Sequence, residues 1–411
     1  MSLALAVGGV ATALVGGRLV LAQRSVADRS IFLLGRGLAD EAALSARVGA
    51  PVGRFYGLAQ RALWGILQPD LIRADVDGAC AALAGELGGL FASHVVIAFV
   101  RRARGQAQAA DEALARAREL ARPEHPFSHV LPSAAEWACE APPVALEEVV
   151  PGVLWRVPVF YTHGLVPFHE FAYATVIRRR SGEVVLLNPV AMPEAIAAEI
   201  RAIGPVTHLV TPLKFHNLFV AEGQRLFPGA RSFGVAGHRK NPPSAHLRFD
   251  GILDDRAPLF PGEIEQVAIA GHQFEETVFF HPESRTAFVH DLIFGCQPGR
   301  PGYTFWWRLY CLVFGIHDGF GVPSYHPMLW TNVPRLRASV ARVLAWDADR
   351  VLCCHAPASA IEAGGREVLE GALGWVRDLG TAEHAVMVGR YFREQPGFMR
   401  DLLRYLVKQG G

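Results

Sequence analysis

Four side chains in the last two-thirds of the chain have the chemistry to bind a metal ion: His216, His272, Asp291 and His355. Each follows a short run typical of a buried strand: His208–Val210, Val267–Ala270, Thr286–Val289 and Val351–Cys354. Groups that follow strand ends can converge on one rim of a sheet, and three imidazoles with one carboxylate suit zinc or iron. The alternative is four unrelated polar residues at the starts of loops.

The elements that must position these side chains read as strands and helices in alternation. The strand-like runs are Val153–Val159, Ala172–Ile177, Glu183–Leu187, His208–Thr211, Ser232–Val235, Glu265–Ala270, Thr277–Phe280, Thr286–His290 and Arg350–Cys354. The helical segments between them are Met192–Ile203, Leu218–Phe227, Val333–Ala345 and Arg366–Leu379. This pattern predicts a layered α/β domain, a class in which ligands bind beyond the strand ends.

The N-terminal part of the chain has helical spacing of its apolar residues and no strand-like runs. Residues 1–125 are predicted to be all-helical, with helices at Leu38–Val48, Val52–Gln68, Val76–Phe99 and Ala107–Leu120. A proline-rich linker is predicted over residues 126–147, and the α/β domain over 148–411. No motif in residues 1–147 indicates a function.

Composition excludes several classes of protein. The chain has 411 residues, of which 51% are hydrophobic and 19% charged, so it is not disordered. Its net charge is +1 without a long basic run, so no nucleic-acid partner is expected. The cysteines form no C-x-x-C pair, which favours buried thiols in a reducing cytoplasm. They are Cys80, Cys139, Cys296, Cys311, Cys353 and Cys354.

Two apolar stretches raise the question of a membrane. Residues 1–22 have the length of a span but are interrupted by Arg18, so a buried or interfacial helix is preferred and a membrane anchor is the alternative. The second stretch, Tyr303 to Ile316, is too short to span a bilayer and is expected to cover a core. The expected location is the cytoplasm, with membrane association through residues 1–22 as the alternative.

Two segments resemble the metallo-β-lactamase-like superfamily. The run AGHQFEETVFFHPESRTAFVHDLIFG, residues 270–295, is similar to the middle of that fold, and RVLCCHAP, residues 350–357, is similar to its late strand with a terminal ligand. The resemblance covers roughly residues 148–380. It implies an αββα four-layer sandwich in which His272, Asp291 and His355 are metal ligands.

The departures from that family are equally specific. The family carries a His-x-His-x-Asp-His loop after the strand that corresponds to His208–Val210. Here Pro212 and Lys214 stand at the first two His positions, His216 at the Asp position and Asn217 at the last His. The altered loop is more like that of an uncharacterised bacterial and plant branch of the superfamily. Asn188 also stands where active relatives carry an Asp.

With these replacements, four donors remain for a metal: His216, His272, Asp291 and His355. They suffice for a single divalent ion, with zinc favoured over iron. Asp291 and Lys214 are the catalytic candidates, Lys214 as a positive charge for a developing oxyanion. Glu275 and Glu276 are further candidate bases, although both are expected to be exposed.

Two functions therefore stay open for the domain. One is a metal-dependent hydrolase acting on a small ester, thioester, lactone or phosphoester. The other is a catalytically degenerate domain that binds a ligand or partner. The replacements Pro212 and Lys214 favour the second, and the retained His272, Asp291 and His355 favour the first. The sequence does not indicate the oligomeric state or the substrate.

Overall fold

The computed structural model describes seven stretches of the chain. They are residues 41–67, 75–162, 166–239, 244–297, 300–316, 319–357 and 364–394. Residues 1–22, which raised the question of a membrane anchor, lie outside them. Within these stretches, no helix combines the length and the hydropathy needed to cross a bilayer.

A seven-stranded sheet forms the first half of the α/β sandwich. Its strands, in spatial and chain order, are β1 (Glu147–Val150), β2 (Leu154–Tyr161), β3 (Glu170–Arg178), β4 (Val184–Leu187), β5 (Val206–Thr211), β6 (Arg231–Gly234) and β7 (Gly251–Ile252). The strands β1 to β4 pair antiparallel, and β4 to β7 pair parallel through helical crossovers. The parallel half brings the ends of β4 and β5 to the same edge of the sheet.

A second, four-stranded sheet faces the first. Its strands are β8 (Glu265–Ala268), β9 (Thr277–His281), β10 (Thr286–Val289) and β13 (Arg350–Cys353), in the order β13-β10-β9-β8. The parallel pair β10 and β13 places Val289 opposite Cys353, so the residues that follow the two strands emerge side by side. A short separate pair joins β11 (Phe294–Cys296) to β12 (Gly319–Gly321).

Apolar side chains bind the layers into an αββα sandwich, as the sequence predicts. The space between the two sheets is filled by residues such as Ile177, Leu187, Phe279 and Phe288. The outer face of the first sheet is covered by α7 (Glu194–Ile203) and α8 (Val220–Leu226). The outer face of the second sheet is covered by α10 (Val333–Leu344) and α11 (Gly365–Asp378), with α12 (Thr381–Glu394) behind them.

The described part of the N-terminal region, from residue 41 on, is helical, as predicted, and shares the core of the second sheet's outer face; residues 38–40 of the predicted first helix lie outside the described residues. Its helices are α1 (Glu41–Val48), α2 (Val52–Leu67), α3 (Val76–Glu86), α4 (Phe91–Ala103) and α5 (Ala107–Leu120). The prediction of one helix over Val76–Phe99 is wrong, because the chain turns at Gly88-Gly89. A Cβ at Gly88 would lie 2.2 Å from the carbonyl oxygen of Ala84. The segment 126–147 is ordered and includes the one-turn helix α6 (Ala134–Trp137).

The aromatic stretch Tyr303 to Ile316 joins the two parts of the chain. It forms α9 (Phe305–Val313), capped by the Thr304 hydroxyl, and it covers a core as predicted. Trp306 stacks on Phe99 of α4 with ring centroids 4.8 Å apart. Arg308 of the same helix forms a two-pronged ion pair with Glu136 of α6. The helical region therefore packs directly against the elements of the sandwich.

Candidate functional site

Three of the predicted side chains meet at one end of the sandwich. His216 comes from the loop after β5, whereas Asp291 and His355 follow the paired strands β10 and β13. The Nε2 atoms of His216 and His355 lie 3.2 and 3.3 Å from Oδ1 of Asp291. His216 and His355, which are 139 positions apart in the sequence, thus converge because the two sheets end at the same edge.

The loop of His216 is held by a hydrogen bond from its imidazole to Asn188. His216 Nδ1 lies 2.8 Å from Oδ1 of Asn188, whose amide nitrogen donates to the carbonyl of Tyr173 at 2.9 Å. That second bond fixes the orientation of the amide, so Oδ1 can only accept. The proton of His216 therefore resides on Nδ1, and the lone pair of Nε2 faces Asp291.

His355 is oriented in the same way by a backbone carbonyl. Its Nδ1 lies 2.8 Å from the carbonyl oxygen of Phe171 and donates to it, which leaves Nε2 directed at Asp291. Trp307 of α9 stacks on the imidazole with centroids 4.6 Å apart and an angle of 18°. Metal-binding histidines characteristically donate their second ring N–H to a carbonyl or carboxylate in this manner.

Asp291 supplies the negative charge at the centre. Although burial opposes its ionisation, the neighbouring imidazoles of His216 and His355 hold its pKa well below the usual range. Its Oδ1 is buried and has no partner with hydrogen-bond geometry, even though two imidazole nitrogens are so near. Ligand atoms about 2.0–2.1 Å from a tetrahedral zinc ion lie roughly 3.4 Å from one another, close to the separations found here. The three side chains therefore fit a cation between them.

Cys354 is a fourth potential ligand, and the sequence interpretation missed it. Among the described residues, the ligand atoms of His216, Asp291, Cys354 and His355 all lie within 4.8 Å of one another. Burial raises the pKa of the Cys354 thiol well above its usual value, so the thiol is protonated unless a cation is bound nearby. Its position next to His355 in RVLCCHAP is the available signal, but the sequence pattern predicts only a buried thiol there.

His272 does not belong to this group of converging ligand atoms. Its Nδ1 accepts a hydrogen bond from the backbone N–H of Phe274 at 3.0 Å, and its Nε2 is buried without a partner. The ring contacts that of His326 at 5.4 Å. Burial lowers the pKa of His272 to about 3, with Asp291 opposing and Lys214 reinforcing the shift. The ring is therefore neutral, and the charges of Asp291 and Lys214 act on it in opposite directions.

Lys214 lies on the same loop as His216. It is half-buried, its ammonium nitrogen is 5.1 Å from the centre of the Phe215 ring, and its backbone N–H donates to Phe274. Burial lowers its pKa, which the nearby carboxylate of Glu275 opposes. Burial lowers the pKa of His238 to about 4, and the charges of His216 and Lys214 reinforce that shift.

Glu276 has a role that differs from the prediction. Glu275 is exposed as expected, but the expectation of exposure is wrong for Glu276, which is 2% exposed. Its carboxyl oxygens accept the backbone N–H groups of His290 and Asp291 at 2.8 and 3.0 Å. Burial raises its pKa well above the usual value. Glu276 therefore holds the turn that presents Asp291, instead of facing solvent as a base.

Arg156 is a second positioning residue that the sequence did not reveal. It is fully buried on β2 and donates to the carbonyls of Ala356 and Cys353 at 2.6 and 2.7 Å. Its guanidinium carbon lies 4.0 Å from the centre of the Tyr173 ring. These two carbonyls flank Cys354 and His355, so Arg156 clamps the turn that carries both.

Partnerless polar atoms are concentrated around this centre. Seven buried nitrogen or oxygen atoms without hydrogen-bond partners belong to five side chains: His238, His272, His290, Asp291 and His326. The rings of His290 and His216 are 6.0 Å apart, and those of His272 and His326 are 5.4 Å apart. Because buried polar groups are normally satisfied, these atoms can take a hydrogen bond or a cation from an added partner.

No protein-family model and no curated protein matches the sequence. Among solved structures, the fold is similar to a metallo-β-lactamase from Pontibacter korlensis, at 13% identity and a TM-score of 0.40, covering 58% of this chain and 100% of that one. It is also similar to FIM-1 from Pseudomonas aeruginosa in its mono-zinc form, at 15% identity and a TM-score of 0.38, covering 58% of this chain and 97% of that one. A metallo-β-lactamase from Hirschia baltica is similar at 16% identity and a TM-score of 0.39, covering 57% of this chain and 98% of that one. Similarity at this level says nothing about activity or substrate.

Proposed function

We propose that the chain is a metal-dependent hydrolase with a single-metal centre held by His216, Asp291 and His355. The observation that carries the proposal is the pair of imidazole Nε2 atoms 3.2 and 3.3 Å from a buried carboxylate oxygen that lacks a hydrogen-bond partner. Two imidazole nitrogens and a carboxylate oxygen lie this close only when a cation or a proton sits among them, and a metal ion takes the place of that proton.

Zinc is the ion that this donor set favours. Imidazole nitrogen and carboxylate oxygen, with a thiol in reach, are its usual ligands, and three protein ligands with an open position characterise its catalytic sites. When bound, it would supply Lewis acidity, which polarises a carbonyl or phosphoryl oxygen and makes water a stronger nucleophile at neutral pH. One group of donors with this geometry occurs in the described part of the chain, which is enough for one ion.

The remaining residues would orient and polarise. Asn188 and the Phe171 carbonyl hold the two imidazoles with Nε2 inward. Asp291 would be the negatively charged ligand of the ion. Lys214 would offer a positive charge to an oxygen that gains negative charge during hydrolysis. The substrate class consistent with this chemistry is a small ester, thioester, lactone or phosphoester.

Metal content and hydrolysis together test the proposal. We expect the purified protein to hold about one zinc ion per chain, and we expect Asp291→Asn and His355→Ala to lose it together with hydrolysis of generic ester and phosphoester substrates. His94→Gln is the matched control, because His94 bonds only the Gly88 carbonyl on the N-terminal helices. A wild-type protein that folds but binds no zinc would contradict the proposal.

A second function is favoured by Cys354. If this thiol also binds, the ion has four protein ligands and a closed shell, which is typical of a structural metal and of a domain that binds partners without catalysis. Cys354→Ala separates the two functions. If the protein is a hydrolase, Cys354→Ala should keep one zinc ion per chain and the wild-type turnover. If Cys354 is a fourth ligand of a structural ion, Cys354→Ala should bind zinc more weakly, and the wild-type protein itself should show no turnover.

A further inference from the structure

The protonation of His272 sets it apart from the two histidines of the centre. His216 and His355 direct Nδ1 at an acceptor oxygen, so their Nδ1 carries a proton and Nε2 is the nitrogen that can bind a cation. His272 does the opposite, because its Nδ1 accepts the backbone N–H of Phe274 at 3.0 Å. A ring that accepts at Nδ1 must carry its proton on Nε2. The Nε2 of His272 is therefore a donor and has no lone pair for a metal.

That donor is buried and has nothing to donate to. His272 is 6% exposed, and its Nε2 has no hydrogen-bond partner. Leaving a buried N–H unpaired is energetically unfavourable, so this position favours an acceptor supplied by a bound molecule. Lys214 lies on the same side of the molecule as His272, because its backbone N–H donates to the carbonyl of Phe274, whose ring centroid is 4.5 Å from that of His272.

His326 adds a second unsatisfied imidazole at the same place. It is 0% exposed, both of its ring nitrogens lack partners, and its ring meets that of His272 at 5.4 Å and 78°. Phe294 connects it to the centre, since its ring contacts both His326 at 5.7 Å and His355 at 5.5 Å. Burial lowers the pKa of His326 well below its usual value, so the ring is neutral and carries one N–H.

We propose that His272 and His326 form a subsite that binds an oxygen acceptor of the substrate beside the metal centre, and that His272 is a donor in this subsite instead of a metal ligand. The acceptor is a carboxylate or phosphate oxygen, because two N–H donors and the nearby Lys214 ammonium favour negative charge. This inference rests on the proposed hydrolase function and narrows its substrates to those that carry an anionic oxygen group next to the bond that is cut.

Zinc content distinguishes a donor from a ligand. We expect His272→Gln and His272→Ala to bind as much zinc per chain as the wild-type protein, whereas His355→Ala loses it. Glutamine is the informative replacement, since its amide N–H stands near the position of Nε2 but it is a poor zinc ligand. Loss of zinc in both folded His272 variants, to the level of His355→Ala, would overturn the assignment.

The tautomer can be read without any metal. In the metal-free protein labelled with ¹⁵N-histidine, the NMR signals that disappear in His272→Gln should be those of a neutral ring protonated on Nε2. A proton on Nδ1 would overturn the inference. This measurement remains decisive if the wild-type protein binds no zinc, an outcome that would refute the proposed function alone.

Binding of simple anions tests the subsite itself. Acetate and inorganic phosphate, titrated calorimetrically, should bind His272→Ala and His326→Phe about tenfold more weakly than wild type, the effect of one lost hydrogen bond to a charged group. His272→Gln should retain most of the affinity, and His94→Gln all of it. Equal affinity in every variant, or no binding of either anion to the wild-type protein, would exclude the subsite.

Discussion

Oδ1 of Asn188 lies 2.8 Å from Nδ1 of His216, and this contact determines which nitrogen of the imidazole faces Asp291. Asn188 follows β4 directly and has a φ of +58°, a left-handed conformation that asparagine adopts more readily than most residues. Its backbone N–H donates to Val210 of β5, so the side chain is fixed relative to both strands. Its amide oxygen thus gives His216 an acceptor that carries no charge.

Removal of that acceptor should weaken metal binding. Asn188→Gly keeps the left-handed backbone but leaves His216 free to rotate or to change tautomer. We expect the zinc affinity, measured by competition with a chelating dye, to fall about 10–100-fold, the usual effect of losing such a partner. Unchanged zinc affinity in a folded Asn188→Gly protein would show that the loop alone orients His216.

Zinc affinity should rise with pH. Although burial opposes protonation of His355, the carboxylate of Asp291 raises the pKa of His355 to about 9 in the metal-free protein. Below that pH, a proton occupies the Nε2 position that the ion needs, so each bound ion must release it. The apparent affinity should therefore increase about tenfold per pH unit up to pH 9.

Calorimetry in buffers of different ionisation enthalpy measures this released proton at pH 7. The same titration of Cys354→Ala is the control, because the Cys354 thiol would contribute a second proton if it also bound. A release of no protons by the wild-type protein would contradict the raised pKa of His355.

Replacement of Arg156 should both destabilise the protein and disturb the centre. Arg156→Met removes one donor from each of the buried carbonyls of Cys353 and Ala356, although the Cys353 oxygen keeps the backbone N–H of Ala356. The loss of each bond to the charged group should cost about 1.5–3 kcal/mol. Arg156→Lys retains the charge but lacks the planar fork that reaches both oxygens. We expect a lower free energy of unfolding in urea and weaker zinc binding for both variants. Arg178→Met, an exposed change at the end of β3, should alter neither quantity.

Acid should weaken the link between the helical region and α9. Although burial opposes ionisation of Glu136, the guanidinium of Arg308 holds its pKa below the ordinary value of 4.5. A lowered pKa in the folded state stabilises the protein above pH 4.5, and this stabilisation is lost as the pH falls through the folded-state value. The difference in urea midpoint between wild type and Glu136→Gln should therefore shrink from pH 7 towards pH 3.

The exposed pair Arg116 and Glu119 provides the comparison for that experiment. Both side chains are more than half exposed, so Glu119→Gln should have little effect on the midpoint at any pH. An equally small effect of Glu136→Gln at pH 7 would mean that the ion pair with Arg308 does not stabilise the fold.

The sequence predicts the layered fold from its alternating strand-like and helical runs, and three side chains of the candidate site from the polar residues that follow those strands. His216, Asp291 and His355 stand out since each polar side chain follows a strand. Cys354 was missed because a thiol after an apolar run is more often a packing residue. Arg156 was missed because its partners, two carbonyls about 200 residues away, are set by tertiary structure.

His272 and Glu276 mark the limit of sequence reasoning more sharply. Spacing identifies an imidazole near a strand end, but which of its nitrogens carries the proton depends on the N–H of Phe274, two residues away and turned back towards the ring. Two adjacent glutamates look alike in sequence, and only the turn at Glu275, with φ of +54°, directs one outward and the next inward. Both distinctions are conformational.

The adjacent tryptophans of α9 face two different neighbours: Trp306 lies flat on Phe99 of the first helices, and Trp307 lies flat on the imidazole of His355. Two neighbouring residues of α9 thus connect the N-terminal helices to His355. A shortened protein that begins at β1 would keep Trp307 against His355 but would lose Phe99, the ring on which the neighbouring Trp306 stacks.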